Sequence, residues 1–356
     1  MKYSLDNICT FGKDKINISF LTLENYISTE NMLPNKAGVT VASTLPTVTQ
    51  TQRYVRGDVL VSNIRPYFKK IWFADKDGGC SNDVLVFKSK ENIDKRYLYY
   101  VLANDEFFDY SMATSKGTKM PRGDKTSIMA YEIEEFDIET QQKIGSLLSS
   151  IDEKIALNEQ VNKNLAEQAQ AIYCDMFISN ARPSWQLGHL SDLITVRYGK
   201  DHKKLADGAY PVYGSGGIMR YVEKPLYDKE SVLIPRKGTL NNVMYVNEPF
   251  WSVDTMFFTE MKLPNVAKFV FHFVKSKDLA SLNAGSAVPS MTTDILNAME
   301  LYVPDADTLT KFEGIIAPMY QAMQQSVQES SKLGELRDSL LPKLMSGELD
   351  VSDLDL

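Results

Sequence analysis

Residues 139–179 place Ile144, Leu147, Ile151, Ile155, Asn158, Asn162, Leu165, Ala169, Ile172 and Met176 at steps of three or four. That spacing is the seam of a helix packed along its whole length against another helix. About 40 residues at 1.5 Å each make a rod of roughly 60 Å, longer than ordinary globular helices. The two mid-seam asparagines lower stability and can set register. A rod this long requires a partner, and the far end of the chain offers a similar seam: Phe312, Ile315, Met319, Met323, Val327, Ser330, Leu333, Leu336, Leu340 and Leu344. Neither seam carries charge, which together with the length disfavours two separate core helices. Pro318 predicts a kink or a late helix start, Gly334 weakens the second helix further, and Pro342 with Ser346-Gly347 ends it.

Between and before these helices the chain repeats itself. Gly57 to Phe87 and Glu230 to Phe258 share an order of features: Val59-Leu60 matches Val232-Leu233, and Ile64-Arg65-Pro66 has a basic counterpart in Pro235-Arg236-Lys237. Ser81-Asn82-Asp83 matches Ser252-Val253-Asp254, which makes Asp83 and Asp254 equivalent. Lys116-Gly117-Thr118-Lys119-Met120-Pro121 matches Ala284-Gly285-Ser286-Ala287-Val288-Pro289. An apolar strand and a long helix follow each block, so the chain is a tandem duplication. Short β-branched and aromatic runs between Gly, Pro and Asn turns predict strands at 59–62, 70–73, 84–87, 232–235, 243–246 and 256–259. A helical insert at 95–110 has its analogue at 266–282. The expected fold is α+β: two similar domains, 1–138 and 183–304, separated by two long helices, 139–182 and 305–345, that form an antiparallel coiled coil in a pseudo-two-fold repeat. An acidic tail, 346–356, follows.

The chain has a formal net charge of −7, which argues against a strong grip on nucleic acid. Divided after residues 137, 182 and 303, however, it carries 0, −2, +1 and −6. The acid lies on the helical segments, and a neutral block can still present a basic face. No apolar run approaches the ~20 residues of a membrane span, and the N-terminal stretch lacks a signal-peptide core. Cys9, Cys80 and Cys174, and His189, His202 and His272, are scattered without metal-ligand spacing. A zinc site or disulfide framework is not expected, and a reducing cytoplasm is.

Missing motifs narrow the chemistry. Tyr213-Gly214-Ser215-Gly216-Gly217 is glycine-rich but no GK[ST] follows, so it reads as a turn between strands rather than a nucleotide loop. There is no nucleophile elbow, HExxH pair or dinucleotide fingerprint. No active site is expected.

The ending Leu336-Arg337-Asp338-Ser339-Leu340-Leu341-Pro342-Lys343-Leu344-Met345-Ser346-Gly347-Glu348-Leu349 resembles the C-terminal signature of specificity (S) subunits of type I restriction–modification systems. The paired blocks resemble that family's target recognition domains through Gly57-Asp58-Val59-Leu60, Ile64-Arg65-Pro66, Lys116–Pro121 and Gly285–Pro289. Thr140-Gln141-Gln142-Lys143-Ile144 resembles the start of its first conserved helix, whereas Asp307–Phe312 lacks the Gln-Gln pair, which puts equivalence of the two helix starts in doubt. The resemblance covers essentially the whole chain. It implies two domains that each read one half of a bipartite, asymmetric DNA target, with the helices as a ruler. It also implies a chain without chemistry of its own, which recruits two methyltransferase subunits and then motor–nuclease subunits. S-adenosylmethionine and ATP belong to those partners, so no cofactor or metal is expected here.

Base-reading positions do not carry over within the family, so candidates rest on chemistry: Arg and Lys for guanine or phosphate, Asn for adenine. In the first block these are Arg65, Tyr67, Lys69, Lys70, Lys116, Lys119 and Arg122. In the second they are Arg220, Arg236, Lys237, Asn241 and Ser286. Thr40–Gln52 is a further candidate loop, and Glu348–Asp355 is either a frayed terminus or a contact to a basic patch. Two alternatives stay open from the residues alone: a stand-alone DNA-binding regulator on this scaffold, and a coiled-coil interaction protein that never touches DNA.

Overall fold

The structure, a computed structural model, describes residues 2–282 and 290–352. It forms two compact units, residues 1–158 with 327–356, and residues 159–326. The long helices Ile138–Cys174 and Ala306–Met345 are shared by both units rather than standing as separate segments.

In the first unit a four-stranded antiparallel sheet has the spatial order Cys9–Phe11, Val84–Ser89, Val59–Ser62, Ile71–Phe73. In the second the order is Ile194–Tyr198, Met256–Met261, Ser231–Pro235, Met244–Val246. Both have the same connectivity. Each unit also pairs its first strand with the strand entering its long helix, Lys2–Ser4 with Glu132–Glu134 and Gln186–His189 with Glu300–Val303. The duplication is therefore structural. The second sheets diverge: four strands in the first unit, three in the second. What they share is one parallel pairing, Ile27 with Cys80 and Tyr213 with Ser252.

Register corrects the sequence alignment. Ser62 pairs with Val84, and Pro235 with Met256, so Val59-Leu60 and Val232-Leu233 are equivalent as expected. Beyond the strand, the N–H of Asn63 donates to Asp83 as that of Arg236 donates to Thr255. Asp83 is thus equivalent to Thr255, one residue off the expected Asp254, and Arg65 is equivalent to Gly238 rather than to a basic residue. The expected insert at 95–110 is two helices, Lys95–Ala103 and Asp105–Ala113, because Asn104 ends one and caps the next through Glu106 N–H. Its analogue is the single helix Ala267–Lys275.

Both long helices start at the same point of the repeat. The Asp137 carboxylate accepts the Thr140 N–H at 2.7 Å and Asp305 accepts that of Thr308 at 2.8 Å, which satisfies an otherwise orphaned donor. The absent Gln-Gln pair therefore does not break the equivalence: where buried Gln141 bonds Phe136 and Asp94, Leu309 packs as an apolar residue. The second helix runs through Pro318, Gly334 and Pro342 without a late start at Pro318, and it ends at Met345, ahead of Ser346-Gly347, as expected. Pro318 and Pro342 both sit on its exposed side, where a lost backbone bond is repaid by water.

Within each unit the helices run antiparallel. In the first, Asn158 donates to Glu329 at 2.8 Å and Asp152 accepts from Arg337 at 2.6 Å, so position rises along one helix as it falls along the other. In the second, Tyr173 packs on Phe312. The first seam is placed as expected, with Ile144, Ile151, Asn158 and Ala169 buried. The second is shifted by one residue at three points, since Ile315, Val327 and Leu336 are exposed while Ile316 is buried. Charge flanks the uncharged seam positions in the pairs Asp152–Arg337 and Lys154–Glu329. The tail is no frayed end over its described part. Val351 is buried in the core of the first unit, and Lys143 Nζ donates to the Ser352 carbonyl at 2.6 Å. Among the described residues no helix is long and apolar enough to cross a membrane.

Candidate nucleic-acid interface

The basic residues of the first unit gather at one end of its main sheet. Strand Val59–Ser62 leaves the sheet into the turn Asn63–Lys70, and the loop 116–122 is stitched to it by the Ile64–Arg122 bridge and by Arg65 N–H donating to the Pro121 carbonyl at 2.8 Å. Arg65 and Lys69 both hold left-handed backbone, φ 51° and 50°, a conformation that L-residues other than Gly adopt only when the surroundings hold it. A second left-handed pair, Asn35-Lys36, is zipped to the turn by N–H bonds to the Phe68 and Lys69 carbonyls. Arg65, Tyr67, Lys69, Lys70, Lys116, Lys119 and Arg122 thus lie on two segments stitched to each other. Lys36 joins them. Its signal was turn chemistry, the Pro34-Asn35-Lys36-Ala37-Gly38 run, rather than charge.

Most of these cations have an internal partner. Lys36 and Lys69 meet Asp105 at 2.7 and 2.9 Å. Burial pushes the Asp105 carboxyl up, but the hydrogen bonds from the two ammonium groups outweigh it and hold its pKa below the ordinary value. The ammonium of Lys116 and the N–H of Ser127 pull Asp124 down to about 2. Arg122 pairs with Asp83 at 3.0 Å, and Lys70 donates to the Thr29 carbonyl at 2.7 Å. These partly exposed ion pairs are individually weak. Asn63 Oδ1 and Arg65 Nε, by contrast, are buried atoms without a hydrogen-bond partner among the described residues. Tyr67, 49% exposed, stands over the same turn.

In the second unit Arg236 and Lys237 occupy the equivalent sheet end. The Arg236 guanidinium lies 5.3 Å from the Tyr198 ring centroid, and Lys237 bridges Ser290. Arg220 lies on the strand Gly217–Val222, held by Asp207 at 2.7 Å and the Leu205 carbonyl. Asn241 is occupied by its own unit, donating to Asp278 and accepting the Ala280 N–H. Tyr213–Gly217 is a turn between strands as expected, its Ser215 carbonyl accepting from Asn242. Ser286, with the Gly285–Pro289 motif, lies outside the described residues, as does the tail beyond Ser352. Of the Thr40–Gln52 loop, Thr51 is buried and the Gln52 amide donates to the Gly12 carbonyl.

Two topologically equivalent units, each with a basic turn at the same end of its sheet, define a tandem-recognition class of protein. The family described as type I restriction modification DNA specificity domain matches residues 2–167 and again 183–321, and the chain belongs to it as a specificity subunit carrying two copies of the domain. It is similar to the HindI specificity subunit of Haemophilus influenzae, 21% identical over 98% of this chain and 99% of the relative. It is also similar to the MjaIX specificity subunit of Methanocaldococcus jannaschii, 21% identical over 74% of this chain and 71% of the relative. The crystal structure of a type I restriction–modification S subunit from M. genitalium has the same fold, with a TM-score of 0.66 at 20% identity, covering 99% of this chain and 96% of that one.

Proposed function

We propose that each unit reads one half of a bipartite, asymmetric DNA sequence with the basic turns at its sheet end, and that the two shared helices set the gap between half-sites. The observation that carries this reading is the equivalence of the Asn63–Lys70 and Arg236–Gly238 turns in two units of one topology. Two weak half-site contacts on one chain become one selective contact through effective concentration. A helix of 37 residues is about 55 Å long, enough to bridge half-sites a ~34 Å helical turn apart.

In this reading the chain performs no chemistry. Its long helices dock two methyltransferase subunits, which supply S-adenosylmethionine and methylate adenine, and motor–nuclease subunits that consume ATP join the assembly in the cytoplasm. The test is to sequence modified adenines in DNA from a host carrying this chain with its methyltransferase. A two-part asymmetric motif that changes in one half only when one block is exchanged supports the reading. A continuous motif, or none, overturns it.

A further inference from the structure

Both blocks contain the same short phrase, Phe11-Gly12-Lys13-Asp14-Lys15 in the first and Tyr198-Gly199-Lys200-Asp201-His202-Lys203-Lys204 in the second. The structure puts the two at the same end of the edge strand, two residues apart in register: Phe11 pairs with Phe87, and Tyr198 with Phe257, the counterpart of Leu85. Phe11 and Tyr198 end the strands that edge the two main sheets. The next residue in each case donates its N–H across the sheet, Gly12 to the Val86 carbonyl at 2.8 Å and Gly199 to that of Met256 at 3.0 Å. Both loops therefore leave toward the sheet end that also carries the basic turns. Gly199 is required there, because a Cβ would fall 2.0 Å from the Val253 carbonyl oxygen. Each aromatic ring carries a cation on its face, Lys125 at 5.7 Å on Phe11 and Arg236 at 5.3 Å on Tyr198.

The lysines of these loops differ from Lys36, Lys69, Lys116, Arg122 and Arg220, each of which has a carboxylate partner. Lys13, Lys15, Lys200, Lys203 and Lys204 are exposed, and among the described residues none of them is in an ion pair. The aspartates of the phrase do not neutralise them: Asp14 pairs with Lys88 at 3.0 Å and Asp201 accepts the backbone N–H of Lys203. The backbone beneath is anchored. Lys200 donates its N–H to Ser252 at 2.8 Å and accepts from the Trp251 indole at 2.9 Å, while the Leu205 carbonyl accepts from Arg220. In the first unit the Asp14 carbonyl accepts from Arg53 N–H and the Gly12 carbonyl from Gln52. Ammonium groups on a fixed frame are point charges that suit phosphates, and they lack the planar fork that discriminates base edges.

We infer that the two loops are phosphodiester clamps, one per unit, which leave the edge strand at the same end of the sheet and hold the DNA backbone without reading its sequence. The inference rests on the DNA-reading role proposed above and assigns base discrimination to the neighbouring turns. The test uses the full chain assembled with its methyltransferase and a duplex bearing its target, with binding measured across salt concentrations. Each neutralised phosphate contributes about −0.9 to the slope of log affinity against log salt. Lys13→Ala with Lys15→Ala should make the slope shallower by about two, and Lys200→Ala with Lys203→Ala and Lys204→Ala by about three, with the methylated motif unchanged. The same positions changed to Arg should keep the wild-type slope, which separates lost charge from a disturbed fold. Unchanged slopes in the alanine variants, or a motif altered in one half, overturn the inference. A wild-type assembly that shows no salt-dependent binding to its target would instead remove the DNA-reading role itself.

Discussion

The Tyr100 hydroxyl donates to the Asp152 carboxylate at 2.6 Å, and the other oxygen of that carboxylate accepts from Arg337, also at 2.6 Å. One acid on the first long helix thus ties down both a short helix of the recognition domain and the opposing long helix. The second unit repeats the position with different chemistry. His272 holds the same place in its short helix as Tyr100, and its Nε2 meets the Tyr320 hydroxyl at 3.0 Å while Nδ1 faces Gln170 at 2.8 Å. A domain that must present its turns at a fixed angle to the rod needs such directional bonds, because apolar packing alone tolerates sliding.

Asp152→Ala should therefore be among the more damaging single changes, since it strands a buried phenol and a half-buried guanidinium together. A loss of about 2–3 kcal/mol is expected, against about 1 kcal/mol for Tyr100→Phe, which removes only one bond. Urea denaturation with an unchanged m-value measures both.

His272 gives the second unit a pH dependence. Burial, with a smaller contribution from Lys275, lowers its pKa from 6.5 to about 4. Below pH 6.5 the unfolded chain takes up a proton that the folded chain refuses, so stability falls as pH drops from 6.5 toward 4. About 2 kcal/mol should disappear between pH 7 and pH 5. His272→Gln abolishes that part of the profile, measured by denaturation at each pH. An identical profile in the variant would place the titration elsewhere.

The duplication and the helices were legible because both are periodic: a seam at steps of three and four, and motifs recurring in order. The second seam was misplaced at Ile315, Val327 and Leu336 because apolar residues there also fit the period, and only packing decides that Ile316 faces inward. A charge pair such as Asp152–Arg337 leaves no local signature, because its members lie 185 positions apart. In the interface, Arg65, Lys116 and Arg122 stand out in the sequence as cations, but their juxtaposition comes from the Ile64–Arg122 bridge, which no local pattern announces. The occupation of Asn241 by Asp278 and Ala280 was not readable either, since it depends on two residues that no local pattern links to it.

Gly238 tests the turn equivalence from the second unit. It has φ +85°, and a Cβ there would lie 2.6 Å from Ser215 Oγ. Gly238→Ala combines left-handed strain of about 1–2 kcal/mol with a displaced Ser215 side chain. A fall in melting temperature of several degrees is expected, together with a loss of discrimination confined to one half of the methylated motif.

Arg65 tests it from the first unit, with the opposite sign for stability. At φ 51° it occupies the position that glycine fills in the second repeat, with Nε buried and without a hydrogen-bond partner among the described residues. Both features work against folding. Arg65→Gly should accordingly raise stability by about 1 kcal/mol, read as a higher melting temperature. In the proposed reading the same change removes a guanidinium that would meet a guanine edge, a contact worth about 1–3 kcal/mol of discrimination. Methylation by the assembled complex should then relax at one position of one half-site while the other half stays as selective as before. A variant that is both less stable and unchanged in motif would mean that Arg65 is held left-handed for the fold alone, and that the bases of that half-site are read from another loop.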